Sequence, residues 1–392
     1  MSDRTGFRSV SRRQFGRTLL LACAAGTLAT RAQAYPKSQV QLELVATSPT
    51  HLWNAVTLTA DGRIFAGMPR WPGFEQTPAL VEVKRDGSLV PYPGGAWNDW
   101  APGQSGTDSF VGVNSVNCFD GVTIWVVDQG TSPNVESFLP GAGKFVQIDT
   151  RTNQVVRSYA FGPDVLPPGA AFNDIRIYGD HAYLTESNLG SIIVVDLRNG
   201  RGLRRLADHP STKQARAGIG RDNQPMVHPD SKPHTVHADQ LEVSPDGVWL
   251  YYQPAAGPLY RVPTAALRDG ALSEDALGKM VEYVYDTPTI GGCAIDSKGN
   301  IFLAEANRPC ISVLLPNGDL RVLVEDDSLW GGDGLFITAD RYLYVPVAQI
   351  PNLPLVRGPG GKSLLTYPFK IWRFKLPEEY GGAFDHHLRK QI

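Results

Sequence analysis

Six times along this chain an apolar strand runs into a turn built on Asp or Gly and returns as a strand carrying an aromatic residue. The units are LTADGRIFAG (58–67), VNCFDGVTIWVVDQG (116–130), IRIYGDHAYLTES (175–187), LEVSPDGVWLYYQP (241–254), CAIDSKGNIFLAE (293–305) and LFITADRYLYVPV (335–347). A third strand follows each: ALVEVK, KFVQID, SIIVVDL, PLYRVP, CISVLL and KIWRFK. The clearest unit, Phe172 to Leu206, adds a fourth segment, GLRRL, after the Arg198-Asn199-Gly200 turn. Short strands joined by Gly-, Asn- and Asp-rich turns form antiparallel meanders. Four such strands make one propeller blade, and repetition at a spacing of roughly 56 residues implies a ring of them. The sequence therefore predicts an all-β, six-bladed β-propeller with four-stranded blades. The blades fall near 51–95, 108–158, 172–206, 236–265, 289–325 and 332–376. A ring must close or leave edges unpaired. QVQLELVA (39–46) has no partner in the first blade and is predicted to become the outer strand of the last. Truncating residues 35–46 is then expected to lower the melting temperature sharply.

Two stretches break the rhythm. Residues 207–235 are polar and proline-bearing, a long loop of the kind that serves as a lid, a binding loop or a decoration. Residues 264–285 hold a helix signal, with Ser273 as N-cap and Leu277, Met280 and Val281 as its apolar face.

The first 34 residues read as an export signal. Ser11-Arg12-Arg13-Gln14-Phe15 precedes a short apolar run, Leu19 to Ala25, and an Ala32-Gln33-Ala34 cleavage site, which resembles a twin-arginine signal. A periplasmic or secreted location is expected. The run is too short to cross a bilayer, so no membrane association is expected after cleavage. These residues carry six Arg and one Asp, so the remaining chain, 35–392, has a formal charge of −7 against −2 for the whole. A mildly acidic chain without a basic stripe gives no footprint for nucleic acid. Of 4 cysteines, Cys23 lies in the signal, and Cys118, Cys293 and Cys310 remain. Cys293 and Cys310 belong to the first and third strands of one blade, which are not neighbours, so free thiols are expected.

First strands of a propeller converge on the central channel, so the residues that open them line one mouth. These are Asn54, Asn114 or Asn117, Asn173 with Asp174, His237 with Asp239, Gly291 and Gly292, and Asp333. Carboxylates and amide oxygens in a ring suit Ca²⁺ or another divalent metal, with Asn173, Asp239 and Asp333 as candidate ligands. The same residues also simply hydrate a wet channel. Asp174, His237, Asp239 and Asp333 are candidate proton carriers, and His237 adjoins Asp239, a pair able to move a proton. Asn54, Trp71, Asn117 and Asn173 are candidate ligand-binding residues, and tryptophans near the mouth (Trp53, Trp71, Trp97, Trp100, Trp330) suit a planar or cationic ligand. His228, His234 and His237 form a loose cluster that zinc could use, but their loop is proline-broken and without cysteine, so they read as surface histidines. Serine nucleophile elbows, phosphate-cradling loops and dinucleotide fingerprints do not occur.

Pro69-Arg70-Trp71 with Gly73, Pro78-Ala79-Leu80, Pro91-Tyr92-Pro93 and Trp97-Asn98 resemble the first-blade pattern of the yellow and royal jelly protein family. Leu166-Pro167-Pro168-Gly169, Phe172-Asn173-Asp174-Ile175, SPDGVWLYYQP, LYRVPTAALRD and PFKIWRF extend the resemblance over the chain after residue 34. It implies a six-bladed propeller and a small-molecule partner. Members range from pigment-pathway proteins and small-amine binders to nutritive proteins, and bacterial relatives resemble dopachrome tautomerases. The expected function is an exported propeller acting on or binding a small aromatic or cyclic molecule at the channel mouth, as a tautomerase or isomerase. Alternatives are a non-catalytic binder of small amines or aromatics and a divergent metal-dependent lactone hydrolase. A more distant resemblance is to lactone-hydrolysing propellers with a metal at one mouth. Asn173-Asp174 falls at that group's Asn-Asp-Gly. Asp239 stands where it has asparagine, Gly291 where it has a catalytic aspartate, and its first-blade glutamate has no counterpart near Asn54.

Overall fold

The computed structural model describes residues 40–133, 139 and 141–384. The expected export signal, residues 1–34, lies outside the described residues. All strands of the described chain fall into six four-stranded antiparallel sheets. Blade 1 runs outward from Ala55–Leu58 through Ile64–Met68 and Ala79–Val83 to Leu89–Pro91. Blades 2, 3, 4 and 5 repeat the order from Val113–Cys118, Phe172–Tyr178, Ala238–Val243 and Ile290–Ile295. First strands of successive blades lie side by side around the ring, and a parallel bridge between Ala55 and Gly334 joins the last blade to the first.

Blade 6 closes the ring with strand from both ends of the propeller. Phe336–Ile337, Tyr342–Pro346 and Phe369–Lys375 are completed by Glu43–Ser48, which pairs antiparallel with Phe369–Lys375. The closing strand thus begins and ends later than the predicted 39–46. Its end is pinned by Arg373, whose Nε donates to Glu43 Oε2 at 2.8 Å.

The turns follow from local chemistry. In blade 6 Thr338 Oγ1 donates to Asp340 Oδ1 at 2.6 Å, and blade 4 repeats this with Ser244 and Asp246 at 2.5 Å. Gly247 sits at φ 72, and a Cβ there would lie 2.1 Å from the Tyr178 ring, so the SPDG turn needs glycine on both counts. The core lies between blades. Phe65 and Tyr92 of blade 1, for example, pack with Phe110, Val126 and Val146 of blade 2.

Blade 4 departs from the prediction. Its outer strand is Glu282–Tyr285, beyond the expected limit at 265, because two one-turn helices intervene, Thr264–Arg268 and Glu274–Gly278. Ser273 caps the second, accepting from Ala276 N, and Leu277 is buried, but Met280 is 45 % exposed. The amphipathic signal was real for one turn only. Cys118, Cys293 and Cys310 are free and buried. Among the described residues no helix is long and apolar enough to cross a membrane.

Candidate functional site

Backbone irregularity builds the mouth of the channel. Pairing between first and second strands slips in blade 2 between Val113 and Ser115, in blade 3 between Phe172 and Ile175, in blade 4 between Ala238 and Gln240, and in blade 5 between Ile290 and Gly292. A bulge re-aims one side chain out of the pleat. The residues inside these slips are Asn114, Asn173 with Asp174, Asp239 and Gly291. Asn54 immediately precedes the first strand of blade 1, Asp333 lies three residues before that of blade 6, and the two complete the ring.

The ring is wired by hydrogen bonds. Asn54 Nδ2 donates to Asn114 Oδ1 at 3.2 Å, and Asn114 Nδ2 donates to the Asn173 carbonyl at 3.0 Å. The Asn173 side chain reaches Asp239, which also accepts from Gln240 Nε2. Gln240 Nε2 bonds the Gly291 carbonyl at 2.8 Å as well. Gly334 N donates to Asp333 Oδ1 at 2.9 Å and to the Asn54 carbonyl at 2.8 Å, which joins blade 6 to blade 1.

Asp239 and Asp333 are 9 % and 7 % exposed. Burial pushes both carboxyls well above the usual carboxylate range, and the negative charge of Asp239 adds to the effect on Asp333. Neither carboxyl has an ion-pair partner among the described residues, so burial favours the protonated form of each. They form the floor of a cavity of about 270 Å³. Its walls include Asn54, Trp71, Asn114 and Asn173, and its roof carries Met226, Ile350, Pro351, Leu353 and Val356. Two segments knit that roof. Val227 N donates to the Val356 carbonyl at 3.0 Å, and Gly358 N returns to the Val227 carbonyl at 2.7 Å. The 207–235 insertion is therefore part of the pocket.

Other expected site residues lie elsewhere. Asp174 and Asn117 sit one tier deeper, where Asn117 Nδ2 donates to Asp174 Oδ1 at 3.1 Å and Arg176 binds Asp174 Oδ2 at 2.8 Å. Arg176 reaches across to Glu242 at 2.6 Å. Burial opposes charge on this guanidinium, but Asp174 and Glu242 outweigh it and push its pKa up. Burial lifts Glu242 to about 7 in spite of Arg176. Below this tier the channel widens into a funnel of about 1620 Å³ at the opposite face, lined in part by the first turns of blades 1, 2, 3 and 6.

The structure does not bring His237 to Asp239. The Nδ1 atom of His237 accepts from Gln214 N at 2.9 Å, and its charged neighbours are Lys213 and Glu186. The bulge at Asp239 separates the two side chains. Of the mouth tryptophans, only Trp71 lines the pocket among the described residues. Trp53 is buried with Nε1 on the Lys370 carbonyl at 3.0 Å, Trp97 packs on Phe110, and Trp100 and Trp330 lie under Arg70 and Arg221.

Sequence reasoning missed Arg176, Gln240, Glu242 and His234. Arg176, Gln240 and Glu242 fall inside first strands, with the alternate-residue spacing of channel-facing positions as their available signal. The fourth, His234, lines the pocket wall rather than the surface. Nothing in its loop sequence marks this, because the folding of the insertion on itself decides it, with His234 N on the Met226 carbonyl.

The Asn173 side chain bonds Asp239, and among the described residues no three His, Cys, Asp or Glu gather as a metal group. A fifth-blade carboxylate at Gly291 would require the backbone to shift, since a Cβ there would lie 2.2 Å from the Gly332 carbonyl oxygen.

Fold and site together define a six-bladed propeller with a roofed, carboxyl-floored pocket over one end of its channel. A family model described as major royal jelly protein matches residues 119–321, over half of the chain, and the chain belongs to that family. No curated protein matches the sequence. Solved structures share the fold at low identity. A putative gluconolactonase is 12 % identical with a TM-score of 0.51, covering 89 % of this chain and 95 % of its own. A gluconolactonase from Xanthomonas campestris is 13 % identical at 0.51, covering 86 % and 90 %. The calcium-binding protein regucalcin from Agrobacterium tumefaciens is 13 % identical at 0.50, covering 87 % and 95 %.

Proposed function

We propose that this protein is exported through the twin-arginine route to the periplasm or beyond, and that it binds a small aromatic or cyclic molecule in the roofed pocket and moves a proton on it. The observation that carries this reading is the pair of buried carboxyls, Asp239 and Asp333, held above their ordinary range at the floor of a cavity with an apolar roof. A carboxyl raised toward neutral pH serves as acid or base at working pH. In a tautomerisation the ionised member takes a proton from a ring carbon and the protonated member returns one to the other end of the conjugated system. Bonds and electrons balance with no oxidant. Trp71 and the apolar roof hold the ring, and the Asn173 amide orients Asp239.

The test is proton exchange at ring carbons of cyclic ketones and aminochromes in D₂O, followed by NMR. The wild type is expected to catalyse exchange in at least one of them. Asp333→Asn is expected to slow it by about 100-fold or more while binding changes only a few-fold. Binding without exchange in the wild type would leave the non-catalytic binder as the correct reading.

A further inference from the structure

The carboxyl floor faces a wall that carries the one other titratable side chain among the described lining residues, His234. Its backbone is fixed from both sides: His234 N donates to the Met226 carbonyl at 3.0 Å, and the His234 carbonyl accepts Gln214 Nε2 at 3.0 Å. The imidazole stands edge-on to His228, with ring centroids 5.0 Å apart and an interplanar angle of 72°. Its Nδ1 lies 3.3 Å from His228 Nε2. One ring nitrogen is thus committed within the roof, while Nε2 has no hydrogen-bond partner among the described residues. Burial, with the neighbouring His228 adding to it, pushes the His234 pKa down to about 4. The ring is neutral at neutral pH and adds a polar edge to a wall that also carries Gln214 and Thr235.

We propose that His234 is a ligand-binding residue that selects ring molecules carrying a second hydrogen-bonding group on the edge opposite the one that meets Asp239 and Asp333. This rests on the pocket being the ligand site. No Lys or Arg lines the pocket among the described residues, so the second group is an uncharged donor or acceptor rather than an acid. A buried neutral hydrogen bond is worth about 1 kcal/mol, roughly a factor of five in affinity. A site built for such a group also penalises the analogue that lacks it.

Hydroquinone and 4-methylphenol test this, being alike in size and shape and differing in whether the far edge is polar. Binding to the full-length protein is measured by calorimetry under anaerobic conditions. The wild type is expected to prefer hydroquinone by about five-fold or more. His234→Leu should bring the ratio close to one. His234→Gln, whose amide reaches as far as Nε2, should restore part of it, while the shorter His234→Asn should not. A wild type that binds both probes equally, or an Asn or Leu variant that keeps the preference, overturns the role of His234 and leaves the pocket reading standing. A wild type that binds neither probe overturns both.

Discussion

Glu242 shows how a single buried group makes the fold respond to pH. Its side chain meets Arg176 at 2.6 Å, yet burial still raises its pKa from 4.5 to about 7. Between those values the unfolded chain has lost this proton and the folded chain keeps it. The native state then binds more protons, so stability falls as pH rises through the window and levels off above about 7. Glu242→Gln is expected to remove about 2 kcal/mol of that fall, measured as urea unfolding at pH 5 and pH 7. Asp239 and Asp333, raised by the same cause, push in the same direction and keep some slope in the variant. At this scale the polar residues of the site are legible in the sequence: Asn54, Asn173, Asp239 and Asp333 stand at strand starts and meet in one ring. The proton affinity of the two acids is not, because desolvation depends on neighbours supplied by other blades.

Elements position those residues through their faults. Four first strands slip register where they open, and the slip turns Asn114, Asn173, Asp239 and the Gly291 backbone toward the axis. Period-two reading cannot see a bulge, which is why His237 was paired with Asp239 and Asn117 was placed at the mouth. Gly291→Ala is expected to cost about 2 kcal/mol or more, since the added Cβ meets the Gly332 carbonyl oxygen at 2.2 Å; denaturant unfolding measures it. The roof is a different kind of element, two loops sewn together through Val227. Val227→Pro removes the N–H that Val356 accepts. Hydrogen exchange should quicken across 226–235 and 350–358, with the melting temperature falling by only a few degrees.

At the scale of the whole molecule, closure of the ring is what the ends of the propeller contribute. Deleting residues 40–48 removes the outer strand of blade 6 together with the Glu43–Arg373 ion pair and exposes Phe369–Lys375 as an edge. The melting temperature is expected to drop by at least 10 °C, and an unchanged melt would show that the ring does not depend on this strand. The sequence by itself determined the six blades, their order and the closing strand. Those follow from alternation and turn chemistry, which are local and repeat along the chain. Only the tertiary structure decided where the 207–235 loop and His234 go, which ring residues share a cavity, and which carboxyls keep their protons. These depend on residues far apart in the chain brought together by packing, and on water excluded when the roof and the channel meet.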